Sequence, residues 1–489
     1  MNGEPRYQKP PLPSWICAAF GMVFGINNTV ALRFPALIFI VITSYYSNLI
    51  AREITKNSAQ GFNTALISIS SLYIIVIAFE APSDIFTHGF MLMGIYQLLL
   101  LFRTQSKFVK RGVFAGIFIG CSILSKGPVS FYVLLLPFFI AYGFSFKYEF
   151  SKKLVLSFLG CLILAIAIGG SWYAYVRLED AETFIQIAEK ETGNWTSYNI
   201  RPFYYYWSFF VQSGLWTIPA FVGLLYPYLK TRVSNLRAYK FSLFWTLIAV
   251  ILLSVIPEKK SRYLMPVLIP LAINTGFYIE YLISQFKRIT KKAELVPVYT
   301  HFILIAVIAI AVPFGVYFAI GQNIDNYLFN AILLGTAAAI LGIWMLFKLK
   351  QKDLRTLFYL NVLFFMMLLS LGLPLLNTFK GQNFNSPRNL LLFAETNQIE
   401  IYRFGSISPE MIYEYGDKLK SIQTDKGVKL PKQEQFGLLT TDSRINKLSD
   451  FINQYEIKKI KTFDLNFSEE SAKSHKDRLQ NSFYILRKK

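Results

Sequence analysis

Histidine and cysteine are scarce in this chain, with three of each among 489 residues. Cys17, Cys121 and Cys161 all lie in or beside apolar runs, which excludes a disulfide-stapled secreted scaffold and makes each a small hydrophobe. His88, His301 and His475 are too scattered to build a metal centre, and no HExxH or CxxC occurs. The P-loop and the GxGxxG turn that cradle phosphates are missing as well. These absences argue against a soluble nucleotide or metal enzyme, and no cofactor is expected. Charge is thin: 16% of residues are Asp, Glu, Lys or Arg, where soluble domains carry about a quarter. Acidic residues are the scarcer sign, 29 against 50 basic, which leaves a net charge of +21.

What fills the chain is apolar. Hydrophobic residues make up 54% of it, with 45 Phe and 29 Tyr, and the mean hydropathy is +0.39. Disorder is excluded by the same composition. The positive charge then points to membrane loops and lipid headgroups before nucleic acid, which is not expected as a partner. Twelve apolar runs approach the roughly 20 residues that cross a bilayer. They fall near 31–51, 63–80, 84–102, 108–125, 128–146, 154–176, 203–229, 240–256, 263–284, 298–320, 327–347 and 356–376. Their connections alternate in charge. Six hold 21 Lys and Arg, whereas the interleaved set holds only seven: Lys126, Arg177, Lys190, Arg201, Lys259, Lys260 and Arg262. The positive-inside rule makes the first set cytoplasmic and places both termini outside. The fold class expected is an α-helical polytopic membrane protein over residues 1–376, with a small α/β extracytoplasmic domain over 377–489. In the tail, 400–405, 436–441 and the terminal SFYILRK read as strands, and Arg444–Tyr455 reads as a helix. Pro10–Phe24 is too short to span and reads as an interfacial helix.

The seven outer cations cannot serve orientation, so other roles are weighed for them. Lys9, in YQKPPLP beside Tyr7, sits at headgroup depth and either pairs with a lipid phosphate or merely snorkels. Asp84, after Glu80-Ala-Pro-Ser, is an N-terminal helix anion or a base at the membrane surface. Lys126 in Ser-Lys-Gly-Pro closes a turn or binds an anion. The stretch AETFIQIAEKETGNW before Arg201 reads as a short amphipathic helix. Arg201, leading RPFYYY with Tyr205, anchors an aromatic belt or clamps a phosphate bidentately. The strongest signal is Pro257-Glu258-Lys259-Lys260-Ser261-Arg262-Tyr263. Three cations within four residues, on the disfavoured side and against Tyr263, point to an anion site for a phosphate or pyrophosphate headgroup.

In order along the chain, these motifs resemble those of the ArnT-like glycosyltransferases, GT-C membrane enzymes related to protein O-mannosyltransferases. Residues 2–14, NGEPRYQKPPLPS, resemble the family's NG-x-P-x-x-x-KPPLP segment; Asp84 resembles its second acidic residue, SKGP at 125–128 its TKGP, and RPFYYY its loop-end aromatic motif. Lys259 with Tyr263-Leu264-Met265-Pro266 and Pro270 resembles its K-x-x-x-Y-x-L-P-x-x-P signature. The resemblance implies inverting sugar transfer from a polyprenyl-phosphate donor, on the outer face of a bacterial inner membrane, to a lipid A-like or protein acceptor. It places the phosphate-binding lysine at Lys9, with Arg201 and Lys259 as further phosphate partners. It also implies a first transmembrane helix and an outer Asp-Glu loop ahead of KPPLP. Neither is found in this sequence, so the expectation is a chain short of that helix and of the family's base, with Asp84 the best remaining carboxylate. Two other readings stand beside this one: a transporter or flippase for lipid-linked sugars, and an inactive homologue that binds glycolipid. Near charge-free spans and the lack of an internal repeat count against the transporter.

Overall fold

A run of apolar residues becomes a helix only where its backbone hydrogen bonds can close, and asparagines set the first ones. The computed structural model describes residues 7–80, 82–320, 325–380, 383–424, 427–448 and 453–489. The short helix α1, Leu12–Phe24, has Pro in its first turn and exposes Trp15, Met22, Val23 and Phe24. Asn28 then caps α2, Thr29–Thr55, by accepting from the Val30 and Ala31 amides. Asn57 caps α3, Ser58–Ile69, in the same way through Ala59 and Gln60. α4 covers Leu72–Glu80, and α5, Pro82–Thr104, and α6, Phe108–Lys126, form a helical hairpin.

Among the described residues, nine helices are long and apolar enough to cross a membrane. They are Thr29–Thr55, Ser83–Thr104, Phe108–Lys126, Lys152–Glu179, Leu236–Val255, Ser261–Arg288, Lys292–Phe318, Leu328–Lys350 and Leu354–Phe379. The chain is therefore a polytopic helical membrane protein. Of the other three expected runs, 63–80 and 203–229 are broken, and 128–146 holds a continuous but shorter apolar helix, Phe131–Ser145. The first, 63–80, is split between α3 and α4 at Ser70 and Ser71. In 128–146 a π-turn over Phe131–Leu135 hands the Leu136 N–H to the Phe131 carbonyl and leads into Leu136–Ser145, with Pro137 in its first turn. The third, 203–229, consists of two 3₁₀ segments and two short helices, with Pro202, Pro219, Pro227 and Gly214 as breakers. Gly214 holds φ +65°, and a Cβ there would come within 2.6 Å of the Leu72 Cβ. Trp216, fully buried, donates its indole N–H to Ser70 Oγ at 2.8 Å and so ties 203–229 to the break in 63–80. Irregular backbone at membrane depth is tolerated where protein covers it. Here the cover is an apolar core that includes Phe39, Phe86, Tyr206, Met265 and Leu268. The expected amphipathic helix is present as Ala181–Ser197.

The chain divides into two compact units. One comprises Tyr7–Gly315 and Leu333–Ser370; the other comprises Val316–Ile332 and Leu371–Lys489, with Met1–Arg6, which lie outside the described residues. The second unit contains a five-stranded mixed sheet of order β2-β1-β5-β7-β6. Its strands are β1 Ile401–Arg403, β2 Lys420–Ser421, β5 Gln435–Thr440, β6 Tyr455–Asp464 and β7 Gln480–Lys488; β3, Gln423–Thr424, and β4, Gly427–Val428, make a separate hairpin. β1 runs parallel to β2 and β5, and β7 is antiparallel to both neighbours. Two apolar clusters hold it, one around Met411, Leu439 and Phe483, the other around Phe436, Leu438 and Leu486. The expected strands at 400–405, at 436–441 and at the C-terminus are present. Of the helix expected over Arg444–Tyr455, the start is helical, with Asp442–Ile445 continued by a 3₁₀ turn over Asn446–Leu448; residues 449–452 lie outside the described set, and at the far end Tyr455 opens β6 instead. Tyr455 packs edge-on against Phe436 at 5.5 Å, and that burial in the sheet core overrides the local helical pattern.

Candidate functional site

Two loops far apart in sequence are joined by a short extended pairing. Ile200 bridges Glu258 in antiparallel register. The Arg201 N–H donates to the Pro257 carbonyl at 3.2 Å, and the Lys259 N–H to the Asn199 carbonyl at 3.1 Å. Extended backbone sends successive side chains to opposite sides, and the three residues 258–260 are sorted accordingly. Lys259 turns inward, 3% exposed, and donates to the carbonyls of Ile256 at 2.5 Å, Arg201 at 3.2 Å and Pro257 at 3.5 Å. Burial lowers its pKa. Glu258 and Lys260 pair on the other side at 2.6 Å.

Tyr206 fixes this loop from below. Its buried hydroxyl accepts from the Lys260 N–H at 2.9 Å and donates to the Lys260 carbonyl at 3.1 Å. Tyr205 reaches Ser261 Oγ at 3.1 Å. The loop-end aromatic motif is thus a clamp on the cationic loop.

Tyr263 is the centre of the charged group. Its hydroxyl donates to Glu258 at 3.2 Å and accepts from Lys260 at 3.3 Å. Three cations surround its ring: Lys126 and Lys260 at 5.6 Å from the centroid and Arg262 at 5.9 Å. Lys260 also lies 4.7 Å over the Tyr198 ring. Burial opposes the Lys260 charge, but its bonds to Glu258 and Tyr263 outweigh that, so its pKa is raised. Lys126 makes an ion pair with Asp84, which stands in the first turn of α5. Asp84 is 3% exposed, and its second oxygen, Oδ2, has no hydrogen-bond partner among the described residues. The same holds for Arg262 Nε. A buried polar atom without a partner is costly unless something else satisfies it. One helical turn along, His88 Nδ1 lies 2.9 Å from Ser130 Oγ. Asp84–Lys126 and His88–Ser130 are therefore two rungs, four residues apart on both sides, that lock the Ser-Lys-Gly-Pro turn to α5.

The structure thus brings together Asp84, Lys126, Tyr205, Lys260, Arg262 and Tyr263. It places Lys259 beneath them as the anchor of the loop. Arg201 is exposed, and what it contributes to this group is backbone: its N–H and carbonyl hold the pairing. Lys9 is exposed, and Tyr7 stacks at 6.2 Å against Trp172. The side chain of Glu80 lies outside the described set. Sequence reasoning named no role for Glu258, Tyr206, Tyr198 or the His88–Ser130 rung. For Glu258 a signal was present: period-two alternation through 258–260 pairs it with Lys260 and separates both from Lys259.

Known proteins resemble this chain at three levels. Residues 8–172 match the family described as dolichyl-phosphate-mannose-protein mannosyltransferase. The chain is 27% identical over 312 residues to an uncharacterized protein of Aquifex aeolicus, covering 62% of this chain and 58% of that one. It is 24% identical over 286 residues to the undecaprenyl phosphate-alpha-4-amino-4-deoxy-L-arabinose arabinosyl transferase of Wigglesworthia glossinidia brevipalpis, covering 56% and 49%. The chain spans about half the length of the curated relatives it matches. In backbone it resembles the crystal structure of ArnT from Cupriavidus metallidurans bound to undecaprenyl phosphate, with TM-score 0.69 and 14% identity over 99% of this chain and 89% of that one. The apo state of the same protein gives 0.63. At that identity the likeness is one of fold. Family match, relatives and backbone agree with the motifs: over its N-terminal third the chain resembles the mannosyltransferase family, over about half its length it resembles ArnT-type transferases, and its backbone has the fold of the ArnT crystal structures.

Proposed function

We propose that this chain transfers a sugar from a polyprenyl-phosphate donor to a lipid A-like or protein acceptor, at the outer face of the bacterial inner membrane and with inversion at the anomeric carbon. The observation that carries the reading is the convergence of Lys126, Lys260 and Arg262 on the Tyr263 ring beside a half-satisfied buried carboxylate, Asp84. The relatives' names support it, since four are named undecaprenyl phosphate-alpha-4-amino-4-deoxy-L-arabinose arabinosyl transferases.

In the proposed step an acceptor hydroxyl oxygen attacks the anomeric carbon while the bond from that carbon to the phosphate oxygen breaks. The hydroxyl proton passes to Asp84 Oδ2, and the departing polyprenyl phosphate keeps the electron pair. Lys260 and Arg262 stabilise the charge that develops on the phosphate, where a preorganised cation acts most strongly. Lys126 pairs with Asp84 Oδ1 and so holds the carboxylate with Oδ2 free for the proton. Lys9 is a further phosphate partner.

The test is transfer and binding with the full chain in nanodiscs. Undecaprenyl phosphate binding is measured for wild type and for Lys9→Ala, Lys260→Ala and Arg262→Ala, and sugar transfer from a polyprenyl-phosphate donor for Asp84→Asn. Weaker binding in the cation variants and unchanged binding with lost transfer in Asp84→Asn are expected. Wild-type affinity in all three cation variants would remove the phosphate site. Donor binding without transfer by the wild type would favour the inactive glycolipid-binding reading.

A further inference from the structure

The sheet of the second unit is half paved. On the face that carries Tyr484 and Leu486, one end is covered by the cluster of Phe436, Leu438, Ile445 and Leu448. Toward the other end of the same strands the residues turn polar, and a cleft of about 560 Å³ opens there. Its lining is Asn383, Phe384, Asn385, Asp442, Lys459, Thr462, Asp464, Glu470 and Gln480. The size falls in the roughly 300–1,000 Å³ range of small-molecule sites.

The walls are fixed before anything binds. Asp464, 3% exposed, accepts from the Asn466 N–H and side-chain amide, each at 2.8 Å, and lies 3.2 Å from His475 Nε2. Asn466 in turn holds both the N–H and the carbonyl of Lys476, so the loop after β6 cannot shift freely. Asn385 pairs with Asp464 through both backbone groups and donates its amide to the Thr462 carbonyl at 2.9 Å. At the far wall Asp442 accepts from Lys459 at 2.7 Å and from Tyr484 at 2.5 Å. Burial alone would raise its carboxyl pKa, yet Lys459, Ser482 and Tyr484 outweigh that and hold it below the usual range.

The chemistry of the lining selects among ligands. One aromatic ring, Phe384, is its only large apolar surface, which leaves nothing to hold an acyl chain. Three carboxylates face one lysine, which disfavours phosphates and other anions. Among the described residues no three His, Cys, Asp or Glu side chains converge as a metal site. Amides of Asn383, Asn385 and Gln480 both donate and accept, as each hydroxyl of a sugar does, and carboxylates accept two adjacent hydroxyl protons at once. Phe384, braced by Phe467 at 5.6 Å and with Lys380 Nζ 4.5 Å over its ring, forms the aromatic wall of the cleft. We infer that this cleft is a binding site for a neutral or amino-bearing saccharide, distinct in residues from the charged group around Tyr263.

The test uses the full chain in nanodiscs and saturation-transfer NMR with chitobiose and with glucosamine. At about 10 mM sugar, tenfold above a millimolar Kd, the wild type should give clear saturation transfer. The signal should fall at least about fivefold in Asn383→Ala and in the double variant Glu470→Ala/Gln480→Ala; Asn383 and Glu470 are exposed and Gln480 half-buried at the start of β7, so the folding risk is small. Thr462→Arg, which fills the cleft, should abolish it, and Lys260→Ala should leave it unchanged. No signal from the wild type, or a signal that survives in the cleft variants and is lost in Lys260→Ala, would overturn the assignment. Because the readout is binding, it stands or falls independently of sugar transfer.

Discussion

Removing the cation from a buried ion pair exposes how far the Asp84–Lys126 rung supports the fold. The Asp84 side chain is 4% exposed and that of Lys126 15%. Lys126→Met keeps the apolar stem and deletes the charge. It leaves a buried carboxylate without its partner, at a cost of about 3–5 kcal/mol. Asp84→Asn is milder, about 1–3 kcal/mol, since the ammonium is more exposed and still faces the Tyr263 ring. The double variant removes both charges and should cost less than the sum, with a coupling of about 2–3 kcal/mol. The assay is reversible unfolding in mixed micelles with rising SDS, followed by circular dichroism, for the wild type and the three variants. If Lys126→Met lies within about 0.5 kcal/mol of wild type, or if the single effects add to the double within that margin, the two groups are not an interacting buried pair and the site geometry is wrong.

Other expectations test neighbouring features. Lys259→Met should cost about 1–3 kcal/mol of stability because three carbonyls lose their donor; Lys260→Met should cost a similar amount, because the mostly buried Glu258 carboxylate keeps only the Tyr263 hydroxyl, but it alone should weaken undecaprenyl phosphate binding, roughly tenfold for one charge-assisted contact. The same unfolding assay and a lipid-binding titration separate the two adjacent lysines. Gly214→Ala should destabilise by roughly 1–3 kcal/mol through its positive φ and the Leu72 contact, and a wild-type unfolding midpoint would refute the break placed there. Arg478 holds the Glu410 carboxyl below its ordinary 4.5. The folded pKa is depressed, so the pair's contribution, under about 1 kcal/mol for exposed partners, is complete above that value and lost as pH falls through the folded pKa. The protection factor at 409–415, exchange relative to the intrinsic rate at each pH, should therefore fall toward acid in the wild type, and in Arg478→Ala it should already be lower at neutral pH. Reporter fusions at Lys240 and Lys292 should read cytoplasmic and one at Lys489 should not; a cytoplasmic C-terminus would overturn the orientation.

Much of the architecture is written in composition, because hydropathy and loop charge are local sums. Nine apolar runs are continuous helices, and the three tail strands fall where alternation puts them. Hydropathy does not register whether backbone hydrogen bonds continue, so 63–80 and 203–229 looked like the rest. The breakers were visible at Pro202, Gly214, Pro219 and Pro227, but their effect depends on Leu72 and Ser70 arriving from another segment. The candidate site was legible as a list of cations and not as a geometry. Lys126 and Tyr263 lie 137 positions apart, and no spacing rule places one over the other's ring. Lys259 and Lys260 are neighbours of the same type, and only the pairing of Ile200 with Glu258 decides which turns inward.

The rung between Asp84 and Lys126 also bears on how the protein enters its membrane. The two residues are 42 positions apart, at the start of α5 and the end of α6, on the same end of one helical hairpin. A single charge set in the middle of a bilayer costs about 2.5–3.5 kcal/mol during insertion. A hairpin that enters as a unit carries these two at equal depth and already neutralised, so neither meets hydrocarbon alone. The pair is then a condition of biogenesis before it is a feature of any site: a variant that breaks it should accumulate less protein in the membrane, even where the few copies that insert are properly folded.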